Sequence, residues 1–378
     1  LAQTAGGADS VSEVQTLVDA AAAALAKIEA YNNGDGTTPP ALTVADYQAA
    51  GVTGVNTDNL AAVNGKVLAQ STGGADTVAE VQALANAVNN ALAKIEAYNN
   101  GDGVTPSALT LQDYANAGIT GVNANNLAAV NAQVLAQSTG GADTCAEVQA
   151  LVTAASNALI KIEAYNNGDG TTPPALTVVD YQAAGVTGVN TDNLAAINAK
   201  VLAQSTGGAD TVGEVQTLVN AVNTAIAKVE AYNNGDGITP SALTAQDYVD
   251  AGVSGVTADN LAAVNAQVLA QAAGGADSVG EIQALVTAAN NALAKIEAYN
   301  NGNGTTPAAL TVADYQAAGI TGVNTDNVAA VNGKVLAQAA GGADTVAEVQ
   351  ALANGVNNAL AKIEAYNNGD GVTPVALT

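Results

Sequence analysis

The sequence predicts an all-α protein, an elongated tandem array of three-helix repeats. Three observations lead to this prediction. Capping-box sequences, in which Ser or Thr precedes an acidic residue by three positions, mark helix starts. Apolar residues after these starts recur at steps of three and four, which is helical spacing. The tetrapeptide Tyr-Asn-Asn-Gly recurs every 67 residues, beginning at Tyr31, Tyr98, Tyr165, Tyr232, Tyr299 and Tyr366.

The period runs through all 378 residues, so the chain holds about 5.6 copies. The predicted organisation is a partial repeat at 1–36, repeats at 37–103, 104–170, 171–237, 238–304 and 305–371, and the start of another at 372–378. Leu1 is equivalent to Leu68 inside a predicted helix, and Thr378 is equivalent to Thr43 at the start of one. We therefore expect this chain to be a section of a longer array.

Copies alternate between two kinds, which gives a paired superperiod of 134 residues. The first kind carries a lysine on its second helix and the second kind carries a glutamine there. These residues are Lys66, Lys200 and Lys334 in the first kind, and Gln133 and Gln267 in the second. The alternation indicates growth by duplication of pairs.

The first helix of the 37–103 copy is predicted to be short. Thr43 and Asp46 form a capping box, and Gly51 ends the helix in the left-handed conformation that glycine adopts without a Cβ clash. The residues predicted to face the core are Leu42, Val44 and Tyr47. A second helix opens at 57–59 and is broken by 71–74, and its predicted apolar stripe is Leu60, Val63, Val67 and Leu68.

The third helix is predicted to be the longest. Thr77 and Glu80 form its capping box, and 99–101 ends it. Residues 77–99 would span about 35 Å at ~1.5 Å per residue. Its predicted apolar stripe is Val78, Val81, Leu84, Val88, Leu92, Ile95 and Tyr98. One copy has only 14 Leu, Val and Ile residues, a thin core, so we expect neighbouring copies to share apolar surface.

Composition excludes several classes of protein. Nine lysines stand against 34 acidic residues, a net charge of −25, and Arg and His are absent. Nucleic-acid binding needs clustered cations, and ordinary general-base chemistry near neutral pH needs imidazole, so we expect neither nucleic-acid partners nor enzyme activity. The acidic residues of one copy are predicted mainly to cap helix N-termini, as for Asp46, Asp58, Asp76 and Glu80. No apolar run is long enough to span a membrane.

The Asn-Asn-Gly-Asp-Gly loops carry the one candidate metal site, for calcium. The candidate ligands are Asp35, Asp102, Asp169, Asp236 and Asp370. Calcium takes six to eight oxygens, usually with several carboxylates, and each loop supplies one. Asn303 replaces the aspartate in one copy. The pattern therefore favours a helix C-cap and turn over a cofactor site.

Three other features have a structural and a functional interpretation. Cys145 replaces a valine of the other copies and is predicted to be a buried small apolar residue. Tyr47 and Tyr98 are predicted to be half-buried, with the hydroxyl reaching water or a carbonyl, and are alternatively contact residues for a partner. The 37–39 stretch, Thr-Thr-Pro, is predicted to be a stiff turn and alternatively an acceptor of O-linked sugars.

The repeat resembles the GA module of bacterial surface proteins. The likeness lies in Ala-Gly-Val-Thr at 50–53, Asn-Leu-Ala-Ala-Val-Asn at 59–64 and Thr-Val-Ala-Glu-Val-Gln-Ala-Leu at 77–84, and covers about 50 of the 67 residues. This resemblance implies a three-helix bundle and an extracellular or cell-surface location in bacteria. It looks closer to the GA-like repeats of very long bacterial surface proteins, an adhesin-like context.

Three functions follow as hypotheses. The first is a structural extender, stalk or filament body, in which each copy adds fixed length. The second is an array of binding modules that captures a host or matrix protein, as albumin-binding GA modules do. The third is a self-assembling extracellular filament subunit whose partners are copies of itself.

Overall fold

The computed structural model describes residues 8–34, 40–101, 107–168, 174–235, 241–302 and 308–368. The prediction of an all-α fold is confirmed, because these ranges contain sixteen helices and no strand. The chain divides into two compact units. One comprises Leu1–Thr187 with Gln204–Gln216, and the other comprises Gly188–Ala203 with Thr217–Thr378.

Long helices alternate with pairs of short helices along the described ranges. The long helices are α1 (Val11–Asn33), α4 (Val78–Asn100), α7 (Cys145–Asn167), α10 (Val212–Asn234), α13 (Val279–Asn301) and α16 (Val346–Asn368). The first short helices are α2 (Val44–Ala49), α5 (Leu111–Asn116), α8 (Val178–Ala183), α11 (Ala245–Asp250) and α14 (Val312–Ala317). The second short helices are α3 (Leu60–Leu68), α6 (Leu127–Leu135), α9 (Leu194–Leu202), α12 (Leu261–Leu269) and α15 (Val328–Leu336).

Residues adjacent in sequence cap both ends of the long helix α4. In α4, the Thr77 hydroxyl accepts a hydrogen bond from the Glu80 amide, and the Glu80 carboxylate accepts from the Thr77 amide at 3.0 Å, so the predicted capping box is confirmed. At the other end Gly101 is left-handed, with φ +59°, and its amide donates to the Ala97 carbonyl. The Asn-Asn-Gly signal therefore marks the helix end, as predicted.

The first short helix also follows its sequence signals. Thr43 and Asp46 form the predicted capping box of α2. Gly51, at φ +85°, donates to the Gln48 carbonyl, and Val52 donates back to the Tyr47 carbonyl at 2.9 Å. These two bonds form a Schellman motif, which satisfies carbonyls that the short helix would otherwise leave unpaired.

The predicted apolar stripes are correct in part. Tyr47, Val63 and Ile95 are fully buried, but Leu68 is 48% exposed and Val78 is 38% exposed. Asn64 on α3 is buried although it was not among the predicted core residues, because its amide side chain bonds to the buried Tyr47 hydroxyl and the Leu42 carbonyl. Small residues complete the interior of this copy, namely Ala62, Ala75, Ala85 and Ala91.

The four acidic residues lie at or directly before helix N-termini, as predicted, but only two of them accept a hydrogen bond from a backbone amide there. Asp46 and Glu80 cap helices as predicted. The Asp58 carboxylate accepts from the Thr57 hydroxyl at 3.4 Å instead of from a helix amide. The Asp76 Oδ1 atom is buried without a hydrogen-bond partner. In both cases the N-cap positions next to the helix, Asn59 and Thr77, already occupy the end of the helix.

Candidate functional site

The contacts of the long helices with the short-helix pairs are the candidate functional site, since they include the contacts that join successive copies. The long helix α4 packs on α3, which precedes it, and on α5 and α6, which follow it. The long helix α13 likewise packs on α12 before it and on α14 and α15 after it. A long helix is therefore shared between two short-helix pairs.

The N-terminal half of α4 is bound to the preceding pair through amide side chains. Gln82 accepts from the Thr53 amide at 2.8 Å and donates to the Thr53 carbonyl at 3.0 Å. Asn59 donates to Asn89 at 2.6 Å and to the Gly54 carbonyl at 2.7 Å. Backbone groups of the loop between α2 and α3, at Thr53 and Gly54, are thus bonded to the long-helix side chains Gln82 and Asn89.

The C-terminal half of α4 is bound to the following pair. Lys94 Nζ pairs with the Asp113 carboxylate on α5 at 2.7 Å. Asn99 Nδ2 donates to the Val134 carbonyl at 2.9 Å and to the Gln137 carbonyl at 3.1 Å. Asn99 therefore caps the C-terminal end of α6, where helix carbonyls have no intrahelical partner.

The ion pair recurs with the same sequence separation and nearly the same length. The pairs are Lys27–Asp46, Lys94–Asp113, Lys161–Asp180, Lys228–Asp247 and Lys295–Asp314, at 2.6–2.7 Å. Each lysine lies in the last third of a long helix, and each aspartate is also the acidic member of the next capping box. The aspartate therefore closes a helix and joins two copies at once.

Stability is expected to fall in acid because of these aspartates. Burial raises the pKa of the Asp113 carboxyl, but hydrogen bonds from Lys94 and Thr110 lower it by more, so the pKa lies below its ordinary value. A carboxyl with a lowered folded-state pKa stabilises the fold above its unfolded pKa, near 4, and this stability is lost as the pH falls through the folded value. We expect a flat melting temperature from about pH 7 to pH 5 and a decrease below about pH 4.

Circular dichroism melts across that pH range test this expectation. A chain with methionine at the five lysines, Lys27, Lys94, Lys161, Lys228 and Lys295, should show a smaller acid decrease, because only the capping bonds then lower the aspartate pKa values. A melting temperature that increases as the pH is lowered through 4 would contradict the expectation. It would mean that relief of the net negative charge outweighs these contacts.

A buried polar chain crosses each short-helix pair. The Tyr47 hydroxyl donates to Asn64 Oδ1 at 2.6 Å, and Asn64 Nδ2 donates to the Leu42 carbonyl at 2.9 Å. Tyr47 is fully buried, and burial raises its pKa far above the ordinary value. Our prediction of a half-buried Tyr47 that reaches water or a carbonyl is therefore wrong, because the asparagine supplies the acceptor inside the core. Tyr98 is also buried, with 7% of its surface exposed.

A glycine of one copy packs against an alanine of the preceding copy with no room for a Cβ atom between them. A Cβ atom placed on Gly118 would lie 2.5 Å from the Cβ of Ala62 on the second short helix of the preceding copy. The same contact recurs within 3.0 Å at Gly185 with Ala129, Gly252 with Ala196, and Gly319 with Ala263. Clefts of about 310 and 350 Å³ flank the Gly118 contact. We call the contact between Gly118 and Ala62, and its equivalents, the glycine junction.

The two kinds of copy make different polar contacts next to the glycine junction. Gln133 Nε2 donates to the Ala183 carbonyl at 3.0 Å, and Gln267 makes the equivalent bond to a backbone carbonyl at 2.6 Å. Lys200 Nζ instead pairs with the Asp250 carboxylate at 3.1 Å. The ionic contact is particular to Lys200, because the residue equivalent to Asp250 in the copy after Lys66 is Asn116.

Cys145 lies at the rim of one cleft beside the glycine junction. The residue is half-buried, and its Sγ atom lies 3.4 Å from the Ala117 carbonyl. Burial raises the pKa of the thiol. The prediction of a fully buried residue is wrong here, because the first turn of α7 borders the cleft. A thiol with a raised pKa is less often the reactive thiolate.

The calcium hypothesis lies outside the described residues. Asp35, Asp102, Asp169, Asp236 and Asp370 all fall there, and so do Asn303 and 37–39. Within the described ranges no three His, Cys, Asp or Glu residues form a group that could hold a metal ion. Comparison of the melting temperature in EDTA and in excess calcium tests the hypothesis. In the same ranges, no helix combines the length and the apolar character that a membrane span requires.

No protein-family model, curated protein or solved structure matches this chain. The candidate site therefore stands on its own geometry. Sequence reasoning missed Asn64, Asn99 and Gln82, which carry most of the polar contacts between helices. Their signal was available, because each recurs at the 67-residue period beside apolar core positions.

Proposed function

We propose that this protein is a structural spacer, a tandem array of three-helix repeats that serves as an extender, stalk or filament body outside a bacterial cell. The observation that carries the proposal is the shared long helix, because one helix is bound through separate halves to the short-helix pair of its own copy and to the pair of the next copy. A shared helix sets the position of one copy relative to the next, as in other repeat arrays. Each added copy then adds a defined increment of length.

The exposure of the terminal long helices supports this proposal. Val14 on α1 is 45% exposed, whereas the equivalent Val81 on α4 is fully buried against α3. Ile363 and Tyr366 on α16 are each 51% exposed, whereas the equivalent Ile95 and Tyr98 are 0% and 7% exposed. The same side chains are buried only where a short-helix pair covers them, so the pair and the long helix are complementary surfaces.

The polar surface also supports a spacer over a binding module. The exposed residues of α3 are Ala61, Gly65 and Leu68, without an aromatic residue that could anchor a partner. Five lysines are engaged in ion pairs between copies, and the net charge of −25 keeps separate molecules apart. These features favour a soluble body that holds other parts of a protein at a distance.

Lengthening the chain tests the spacer function. A second copy of residues 171–304 is inserted after residue 304, and small-angle X-ray scattering compares the two chains. A spacer should gain about a third in maximum dimension, in proportion to its length, whereas a compact globule of the same residues would gain about 12%. An increase in maximum dimension of only about 12% would overturn the proposal.

Two further measurements separate the alternative functions. Stoichiometric capture of a serum or matrix protein by the immobilised chain would favour the array of binding modules. Fibres in electron micrographs, with light scattering that increases with concentration, would favour a self-assembling filament. A spacer should remain monodisperse and capture nothing at stoichiometric amounts.

A further inference from the structure

The long helices α1, α4, α7, α10 and α13 end in two asparagines and a glycine, and the two asparagines bind the same segment of the following copy. The first, Asn99 on α4, donates to the Val134 and Gln137 carbonyls after α6. The second, Asn100, accepts through Oδ1 from the Gly140 amide at 3.4 Å. Gly101 follows and donates to the Ala97 carbonyl at 3.1 Å. We call these contacts the asparagine grip.

The second contact of the grip recurs in both units with little variation. The partners are Asn33 with Gly73, Asn167 with Gly207, Asn234 with Gly274, and Asn301 with Gly341, each at 3.2 Å. In each case the next residue is a glycine whose amide donates to the carbonyl four residues earlier in the same helix. Five asparagine–glycine steps are therefore held in the same way.

An asparagine–glycine step is the sequence most open to spontaneous deamidation, because glycine has no Cβ to hinder ring closure. The glycine nitrogen attacks Cγ of the asparagine and loses its proton to solvent. The Cγ–Nδ2 bond breaks and ammonia leaves, which produces a five-membered succinimide. Water then opens the ring, leaving aspartate or isoaspartate. The overall reaction consumes one water molecule and releases one ammonia, and it needs no enzyme.

The geometry of the grip opposes the first step. The Gly101 N–H already donates to the Ala97 carbonyl, and Asn100 is held in the last turn of the helix. The Gly140 amide donates to Oδ1 of Asn100, which ties the side chain to the following copy. Reaction requires both that the helix end unwinds and that the loop after α6 releases the side chain.

We propose that these five asparagine–glycine steps are latent deamidation sites, which the following copy keeps unreactive and which react when the asparagine grip opens. The product would be a carboxylate at the C-terminal end of a long helix, where the helix dipole disfavours negative charge. An isoaspartate would also add a backbone atom just before the glycine C-cap. Each reaction would therefore weaken the asparagine grip at which it occurred. The covalent product would remain after the grip closed again.

Peptide mapping by mass spectrometry after incubation in mildly alkaline buffer tests the proposal. In the native chain, Asn33, Asn100, Asn167, Asn234 and Asn301 should deamidate at least about tenfold more slowly than in the urea-unfolded chain, as expected for reaction through rare local opening. Asn368 serves as an internal reference, because its exposed side chain accepts from the adjacent Asn367 instead of a following loop. Equal rates in the native and unfolded chains at the five steps would overturn the proposal.

Two variants open a single grip and leave the others as controls in the same molecule. Asn99→Ala removes two hydrogen bonds to the loop after α6, so deamidation should increase roughly tenfold at Asn100 alone. Asn233→Ala should move the increase to Asn234. Circular dichroism checks that each variant remains helical. No change at the adjacent asparagine, or an equal increase at all five steps, would contradict local control by the grip. This inference does not depend on the proposed spacer function.

Discussion

Replacement of Gly118 by alanine is expected to destabilise the glycine junction by about 3 kcal/mol, whereas the same change at Gly51 should cost only about 1 kcal/mol. Both glycines are left-handed, with φ values of +74° and +85°, so both variants carry the backbone strain. A Cβ atom on Gly118 would lie 2.5 Å from Ala62, but a Cβ atom on Gly51 would meet nothing within 4 Å. The difference between the two variants therefore isolates the contact between copies.

Hydrogen exchange with mass spectrometry is the suitable measurement, because repeat arrays do not always unfold in a single step. Gly118→Ala should increase exchange in α5 and α3, while helices of the second compact unit keep their wild-type rates. Gly51→Ala should affect α2 alone, and only weakly. Equal effects at the two positions would show that strain, and not the packing against Ala62, is the reason for glycine at this site.

Removal of the asparagine from a buried polar chain should have an effect of similar size. Asn131 accepts from the Tyr114 hydroxyl at 2.7 Å and donates to the Leu109 carbonyl at 2.9 Å, and all three residues are buried. Asn131→Ala leaves both partners without a hydrogen bond in the core, at about 1–3 kcal/mol each, and we expect a loss of about 3 kcal/mol. Tyr114→Phe removes only the hydroxyl and should cost about 1 kcal/mol.

Urea unfolding of the two single variants and of the double variant measures the coupling between them. The double variant should cost about 1 kcal/mol less than the sum of the singles, because the bond between the two side chains is lost only once. Asn90→Ala is the matched control, since Asn90 is exposed on α4 and alanine is the better helix former. Its effect should be small or stabilising. Strict additivity of the two core variants would contradict the polar chain.

The helices themselves could be predicted from the sequence because their signals are local. The capping boxes at Thr43 and Thr77, the glycine after Asn100 and the Gly51 stop all act within one turn of their helix, and each was predicted correctly. Such signals depend on hydrogen bonds between residues a few positions apart. No knowledge of the neighbouring copy is needed to read them.

The contacts between copies could be predicted only in outline. The thin core of one copy indicated that neighbours share apolar surface, but Leu68 was assigned inward and Asn64 was overlooked. A polar residue is normally buried only where it has a hydrogen-bond partner. The hydrogen-bond partners of Asn64 lie 17 and 22 residues earlier in the chain. Asn99 finds its partners 35 and 38 residues later. Periodic spacing does not reveal pairings at these distances.

The division of each long helix between two neighbours determines how the chain should melt. A copy removed from its surroundings loses a partner on both flanks, so its stability depends on nearest-neighbour coupling more than on its own interior. We expect end effects to dominate in short chains and to fade in long ones. The melting temperature should therefore increase steeply as the first few copies are added and then level off, because each added copy supplies a neighbour that stabilises the one before it.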